Sequence, residues 1–101
     1  MYATYPSRFD REHGLTEADW LSCLPGAMKE QAWRRLGPGE VEVDLPGGHL
    51  RIRWQVLEPR RIALMAMPRM AVSYHFDAGV READRTGFMR YFDLFLRRGG
   101  G

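Results

Sequence analysis

Two stretches near the middle of the chain alternate regularly between apolar and polar residues. Apolar side chains alternate with acidic ones in residues 40–45, and with two arginines and a glutamine in residues 50–56. Successive side chains of a strand point to opposite faces, so each stretch predicts a strand with one apolar and one polar face. The linker Pro46-Gly47-Gly48 suits a tight hairpin turn. The pattern therefore predicts an antiparallel pair in which an acidic row lies beside a basic row.

Two further apolar runs, Ile62 to Met67 and Met70 to Phe76, continue the predicted sheet. Proline favours turns and lacks the N–H that a strand ladder needs, so turns are predicted at Glu58-Pro59-Arg60-Arg61 and at Pro68-Arg69. The predicted core face of these two strands consists of Ile62, Leu64, Ala66, Met70, Val72, Tyr74 and Phe76.

A helix is predicted to begin at Thr16, because Asp19 follows at the spacing of a capping box. Leu24-Pro25-Gly26 is expected to break or kink this helix after about two turns, since proline disfavours the helical conformation of the residue before it. A second helical piece is predicted from Ala27 to Leu36.

Another helix is predicted near the end of the chain. It begins at Ala83 or Asp84 and ends at Arg97 or Arg98, because phenylalanines recur there at helical spacing.

The order of these elements predicts an α+β fold with two layers. The broken N-terminal helix and the C-terminal helix pack on one face of a four-stranded antiparallel meander, in the order α-β-β-β-β-α. Residues 1–14 are predicted to be an irregular N-terminal arm, residues 15–98 a single α+β domain, and residues 99–101 a flexible glycine tail.

This order, with Pro46-Gly47-Gly48-His49 in the first hairpin, resembles the double-stranded RNA-binding domains, whose corresponding loop reads Gly-Pro-x-His. The resemblance implies RNA as a partner. The chain departs from that family at the start of the last helix, where the family carries a basic cluster and this sequence reads Arg81-Glu82-Ala83-Asp84-Arg85.

The face opposite the predicted core changes its chemistry across the sheet. It is charged on the first two predicted strands, and it carries small or thioether side chains on the last two. An exposed patch of this kind is typical of association or ligand binding, and methionine suits adaptable contacts. The candidate interaction surface consists of Ala63, Met65, Met67, Ala71, Ser73 and His75. Three alternatives stay open for it: coverage by the chain itself, a homodimer interface, and a ligand or partner site.

Composition and charge narrow the function classes. The 101 residues have a formal net charge of +2 and a hydrophobic fraction of 45%, as in ordinary soluble proteins. Residues 1–45 carry five basic and eight acidic side chains, and residues 46–101 carry ten and five. The candidate nucleic-acid surface in the basic half consists of Arg51, Arg53, Arg60, Arg61 and Arg69.

Candidate chemistry is sparse. The single cysteine, Cys23, lies among apolar residues and is expected to be buried and inert, and the three histidines lack metal-ligand spacing. No catalytic residue, metal site or cofactor is predicted. One cysteine fits a reducing compartment, and no apolar run approaches the roughly 18–20 residues that cross a bilayer, so the sequence predicts a cytoplasmic protein without a membrane partner.

Three hypotheses follow. The leading one is a non-enzymatic interaction or accessory protein that self-associates, as a homodimer, or binds a protein partner through the candidate interaction surface. The first alternative is a nucleic-acid (RNA) binding module that uses the five arginines. The second is a small-molecule binder or enzyme with a pocket between helices and sheet lined by Trp20, Trp33, Trp54 and Tyr74.

Overall fold

The computed structural model describes residues 4–99 and shows an α+β fold with two helices and a five-stranded antiparallel sheet. The elements in chain order are β1 (Arg8–His13), α1 (Glu17–Ala27), β2 (Trp33–Gly37), β3 (Glu40–Leu45), β4 (Gly48–Ile62), β5 (Met65–Phe76) and α2 (Glu82–Gly99). The strand order in the sheet is β1-β5-β4-β3-β2. The α+β class is therefore confirmed, and the predicted number of four strands is wrong.

Strand β1 lies within residues 1–14, which were predicted to be an irregular N-terminal arm. It pairs antiparallel with β5, and Phe9 lies opposite Tyr74. Phe9 is buried whereas Arg8 and Asp10 are exposed, so the segment has the two-residue period of a strand at the sheet edge.

Strand β2 replaces the second helical piece that the sequence predicted. Lys29 takes a left-handed conformation with φ of 59°, which ends the helical course of the chain. Trp33 then lies opposite Val43 in the sheet. Leu36, the last residue of the predicted helical piece, is 48% exposed on this edge strand.

Helix α1 has the predicted start and a longer course than predicted. The side chain of Thr16 accepts a hydrogen bond from the backbone N–H of Asp19 at 3.1 Å. Pro25 lies inside the helix, and the N–H of Met28 still donates to the carbonyl of Leu24 at 3.1 Å. The predicted break is wrong, because Pro25 removes only its own N–H, which would donate to Leu21, and the helix continues to Ala27.

The predicted third strand, Ile62 to Met67, contains the turn between β4 and β5, and the predicted fourth strand, Met70 to Phe76, is the second half of β5. The chain turns at residues 63–64, and Ala63 has a φ of 54° there. Pro59 lies at a register shift in β4, and Pro68 lies inside β5. The turns predicted at both prolines are therefore wrong. Strands β3 and β1 do not extend alongside these parts of β4 and β5. The N–H that each proline lacks is therefore not needed for a hydrogen bond to a third strand.

Both helices pack on one face of the sheet, where alternate strand residues are buried. Val43, Ile52 and Val72 are at most 1% exposed, as predicted. Leu64, predicted to lie in the same core, is fully exposed, and Ile62 and Ala66 are exposed as well. The sequence placed these three in the core because their alternation matches that of a buried strand.

The ends of the chain bear on the remaining predictions. Helix α2 begins one or two residues before its predicted start, and Gly99 of the predicted tail is its last residue. The described residues do not include residues 1–3, 100 and 101. The first part of the predicted N-terminal arm and the rest of the predicted glycine tail therefore lie outside them. Across residues 4–99, neither helix has the length and apolar character needed to cross a bilayer.

Candidate interaction surface

A two-stranded ribbon projects from the sheet. Strand β3 pairs with β4 only as far as Arg53, and β1 pairs with β5 only as far as Met70. Beyond these points β4 and β5 pair with each other alone, through Arg60 opposite Met67 and Ile62 opposite Met65. We call residues 57–69 the arm, which is distinct from the N-terminal arm predicted for residues 1–14.

The arm exposes large apolar side chains. Ile62 is 55% exposed, Leu64 is 103% exposed, and Met65 and Met67 are 65% and 47% exposed. Side chains of directly opposite strand residues share a face, so Ile62 lies beside Met65 on one face of the arm. Exposed apolar surface of this extent at a protruding element is typical of an association site.

The six residues of the predicted interaction surface divide between arm and sheet. Ala63 lies in the turn at the tip, and Met65 and Met67 lie on the arm. Ala71, Ser73 and His75 follow on β5 with the same two-residue period, on the outer face of the sheet, which we define as the face away from the helices. The strand therefore brings five of the six residues onto one continuous face. The arm itself was not foreseen.

A shallow groove of about 630 Å³ lies on the outer face beside the base of the arm. The small side chains of Ala71 and Ser73 form part of its lining. Its other lining residues are Asp10, Arg11, Gly37, Pro38, Gly39, Glu40, Arg53, Trp54, Gln55 and Val72.

Most arginines of the candidate nucleic-acid surface form ion pairs with acidic side chains. Arg51 lies 3.4 Å from Glu42, and Arg53 lies 3.2 Å from Glu40. These are the cross-strand pairs that the alternation of the first hairpin predicted. They leave little free positive charge on this part of the face for a phosphate backbone.

The remaining arginines of that set lie on the arm. Arg69 donates two hydrogen bonds to Glu12, at 2.9 and 3.0 Å, and this contact lowers the pKa of the Glu12 carboxyl. Arg60 lies 3.8 Å from the same carboxylate. Arg61 is exposed and forms no ion pair with the residues that the structure describes. One unpaired arginine of five does not make a phosphate-binding surface, so the geometry favours the other hypotheses.

The aromatic residues of the predicted pocket do not surround a cavity together. Trp20 and Tyr74 are fully buried, and Trp54 is 7% exposed. The rings of Trp20 and Trp54 meet edge to face with centroids 5.6 Å apart, and the Trp54 indole N–H donates to Glu17 at 2.8 Å. Trp33 is only partly buried at the edge of this core. These residues fill the core, and this arrangement does not favour a ligand pocket among them.

A polar cluster joins β1 to α2, and the sequence reasoning missed it. Arg11 donates to both carboxylate oxygens of Asp93, at 2.6 and 2.9 Å, and the Tyr5 hydroxyl donates to the same carboxylate at 2.6 Å. Nε2 of His13 and the Tyr74 hydroxyl are 2.9 Å apart and share a hydrogen bond. The only sequence signal was the alternation of Phe9, Arg11 and His13.

Burial determines the electrostatics of this cluster. It lowers the pKa of His13, and the positive charge of nearby Arg11 acts in the same direction. Burial also raises the pKa of Tyr74 and, together with the hydrogen bond to Asp93, that of Tyr5. His13 is therefore held neutral beside a neutral tyrosine, while the charge of Arg11 is balanced by Asp93. This arrangement fastens the edge strand to the helix layer.

Cys23 is buried, and among residues 4–99 no three histidine, cysteine or acidic side chains lie close enough together to hold a metal ion.

No protein-family model matches the chain, and a search of the curated proteins finds no match.

Proposed function

We propose that this chain is a non-enzymatic interaction protein that self-associates through the arm and the adjoining outer face of β5. The observation that carries the proposal is the exposure of four large apolar side chains, Ile62, Leu64, Met65 and Met67, on one projecting element. Water-exposed apolar surface of this kind gains free energy when a partner covers it.

The size of that gain favours a partner that brings an arm of its own. Complete burial of one such side chain contributes roughly 1.5–3 kcal/mol, and the exposed fractions amount to between two and three complete side chains. One covered arm therefore contributes about 4–8 kcal/mol before costs, while association costs about 4–15 kcal/mol. One arm gives a marginal complex, whereas a symmetric pair of arms doubles the favourable contribution.

The arm presents its faces for association more readily than its edges. An open strand edge can pair with another chain, and proline or a bulge at that edge prevents such pairing. Pro59 lies at the register shift in β4, and Pro68 lies in the part of β5 that belongs to the arm. Both edges of the arm are blunted in this way, so side-chain packing on a face is the mode that the structure supports.

Light scattering coupled to size-exclusion chromatography tests the proposal. The wild-type chain is expected to show the mass of a dimer at high micromolar concentration, and the variant Met65→Ser/Met67→Ser the mass of a monomer. Leu36→Ser is the matched control, because Leu36 is similarly exposed at 48% on the far edge strand β2. A wild-type chain that stays monomeric at the highest attainable concentration would remove self-association from the account.

A further inference from the structure

The groove on the outer face and the arm lie next to each other on the same side of β5, and their side chains differ in size. The groove has Ala71 and Ser73 in its lining, whereas the arm carries Met65 and Met67. We propose that the groove of one copy receives the arm of a second copy, and that the exchange is reciprocal. This inference rests on the proposed self-association and names the surface that covers the arm.

The register of β5 makes the strand self-complementary about Arg69. Residues 65, 67, 69, 71 and 73 share one face because side chains alternate along a strand. In this arrangement the outer faces of two copies stack on each other, and a two-fold axis passes Arg69, between the faces and perpendicular to the strand. The axis places Met67 opposite the partner's Ala71. It also places Met65 on the partner's Ser73. Each large side chain thus meets a small one, twice in the dimer.

Packing geometry requires this alternation of sizes. Two sheets that stack face to face lie about 10 Å apart, so a large side chain from one sheet needs a small one opposite it. Two arms stacked on each other would instead bring Met65 and Ile62 of one copy against the same large side chains of the other.

The charges of the outer face are compatible with coverage by the arm. Arg53 is paired with Glu40 at 3.2 Å, and Arg69 is paired with Glu12 at 2.9 Å. Covering an unpaired charge costs most, so each arginine has to enter the interface together with its carboxylate, including the two Arg69 side chains that meet at the axis. Asp10 lines the groove beside Ser73 and forms no ion pair within residues 4–99, so its carboxylate has to keep access to water at the rim of the interface.

The number of residues involved favours reciprocal exchange over contact between arms alone. Stable interfaces use about 20–30 residues from each partner. The arm spans 13 residues, from 57 to 69, and the groove is lined by 12 others. Arm and groove together therefore come closer to the usual size than an interface of arms alone.

Thiol cross-linking between Met65→Cys and Ser73→Cys in one doubly substituted chain tests the inference. The two positions are eight residues apart on one continuous strand, about 26 Å, so no bond forms within a copy. Mild oxidation, or a short bismaleimide linker if the disulfide geometry is unfavourable, is expected to convert the chain to covalent dimers with two links each. Met65→Cys/Arg97→Cys is the matched control, since Arg97 is exposed on α2, and it is expected to give no such doubly linked dimer.

Both substituted positions lie on the surface, and circular dichroism checks that each variant keeps the fold. A chain that scatters light as a monomer would overturn the proposed function together with this inference. A chain that is dimeric, but in which Met65→Cys alone cross-links as efficiently as the double variant, would overturn only the inference. That result would mean that the arms pack tip to tip.

Discussion

Replacing Asp93 by asparagine is expected to loosen β1 from α2 and to destabilise the whole fold. The carboxylate of Asp93 accepts two hydrogen bonds from Arg11 and one from Tyr5. Asparagine has nearly the same size and lacks the negative charge. The substitution therefore removes the carboxylate that pairs with Arg11, with little change in packing.

The magnitude follows from the burial of the pair. An exposed ion pair contributes about 0–1 kcal/mol, whereas removal of one partner from a fully buried pair costs about 3–5 kcal/mol. The side chains of Arg11 and Asp93 keep 20% and 18% of their surface exposed. We expect a loss of about 2 kcal/mol in the free energy of unfolding, which for a domain of this size lowers Tm by about 8–16 °C.

Urea unfolding followed by tryptophan fluorescence, at one fixed protein concentration, measures this loss. Asp10→Asn is the matched control on β1, because Asp10 is exposed and forms no ion pair within residues 4–99, and it is expected to change stability by no more than about 0.5 kcal/mol. Equal midpoints for Asp93→Asn and the wild-type chain would refute the reasoning, since they would mean that the pair with Arg11 contributes nothing in solution.

Two further predictions concern pH and backbone conformation. Because burial lowers the pKa of His13, the unfolded chain binds a proton at higher pH than the folded chain, so stability is expected to fall as pH decreases from about 7 through about 6. His13→Gln should flatten that part of the urea-midpoint profile, and an unchanged slope would contradict the assignment. Gly47→Ala is expected to cost about 2 kcal/mol or more, because Gly47 has a φ of +87° and a Cβ there would overlap the Gly79 carbonyl. Gly37→Ala, where the added methyl meets open space, should be nearly neutral in the same assay.

The central hairpin was predictable because its information is local. Charge and hydrophobicity alternate together in residues 40–56, so one register satisfies both, and Glu42 does lie opposite Arg51. The cap at Thr16 and the course of α2 were predictable for the same reason, since their signals lie within a few residues of each other.

The edge strand β1 was not predictable from local pattern. Arg11 and His13 occupy two of its positions that face the helices, whereas the sequence alone predicts that residues of these types are exposed to water. They are accommodated because Arg11 binds Asp93, 82 residues away, and His13 binds Tyr74, 61 residues away. Contacts over such separations leave no mark on the neighbouring sequence.

The arm was missed for the opposite reason. Alternating apolar residues from Ile62 to Met67 have the pattern of a core strand, and nothing in the pattern shows that the neighbouring strands end earlier. The residues of the candidate interaction surface were selected because their chemistry was unusual for a solvated face, and their role in association stays a prediction. Their division between arm and groove required the structure.

The central claim is that Met65 and Met67 lie in an interface between copies of this chain. A dilution series followed by NMR of the methionine ε-methyl groups tests it most directly, with the buried Met28 and Met89 as internal references. We predict that the resonances of Met65 and Met67 move together with concentration while those of Met28 and Met89 stay fixed. Resonances of Met65 and Met67 that do not change while the mass of the particle doubles would contradict the claim.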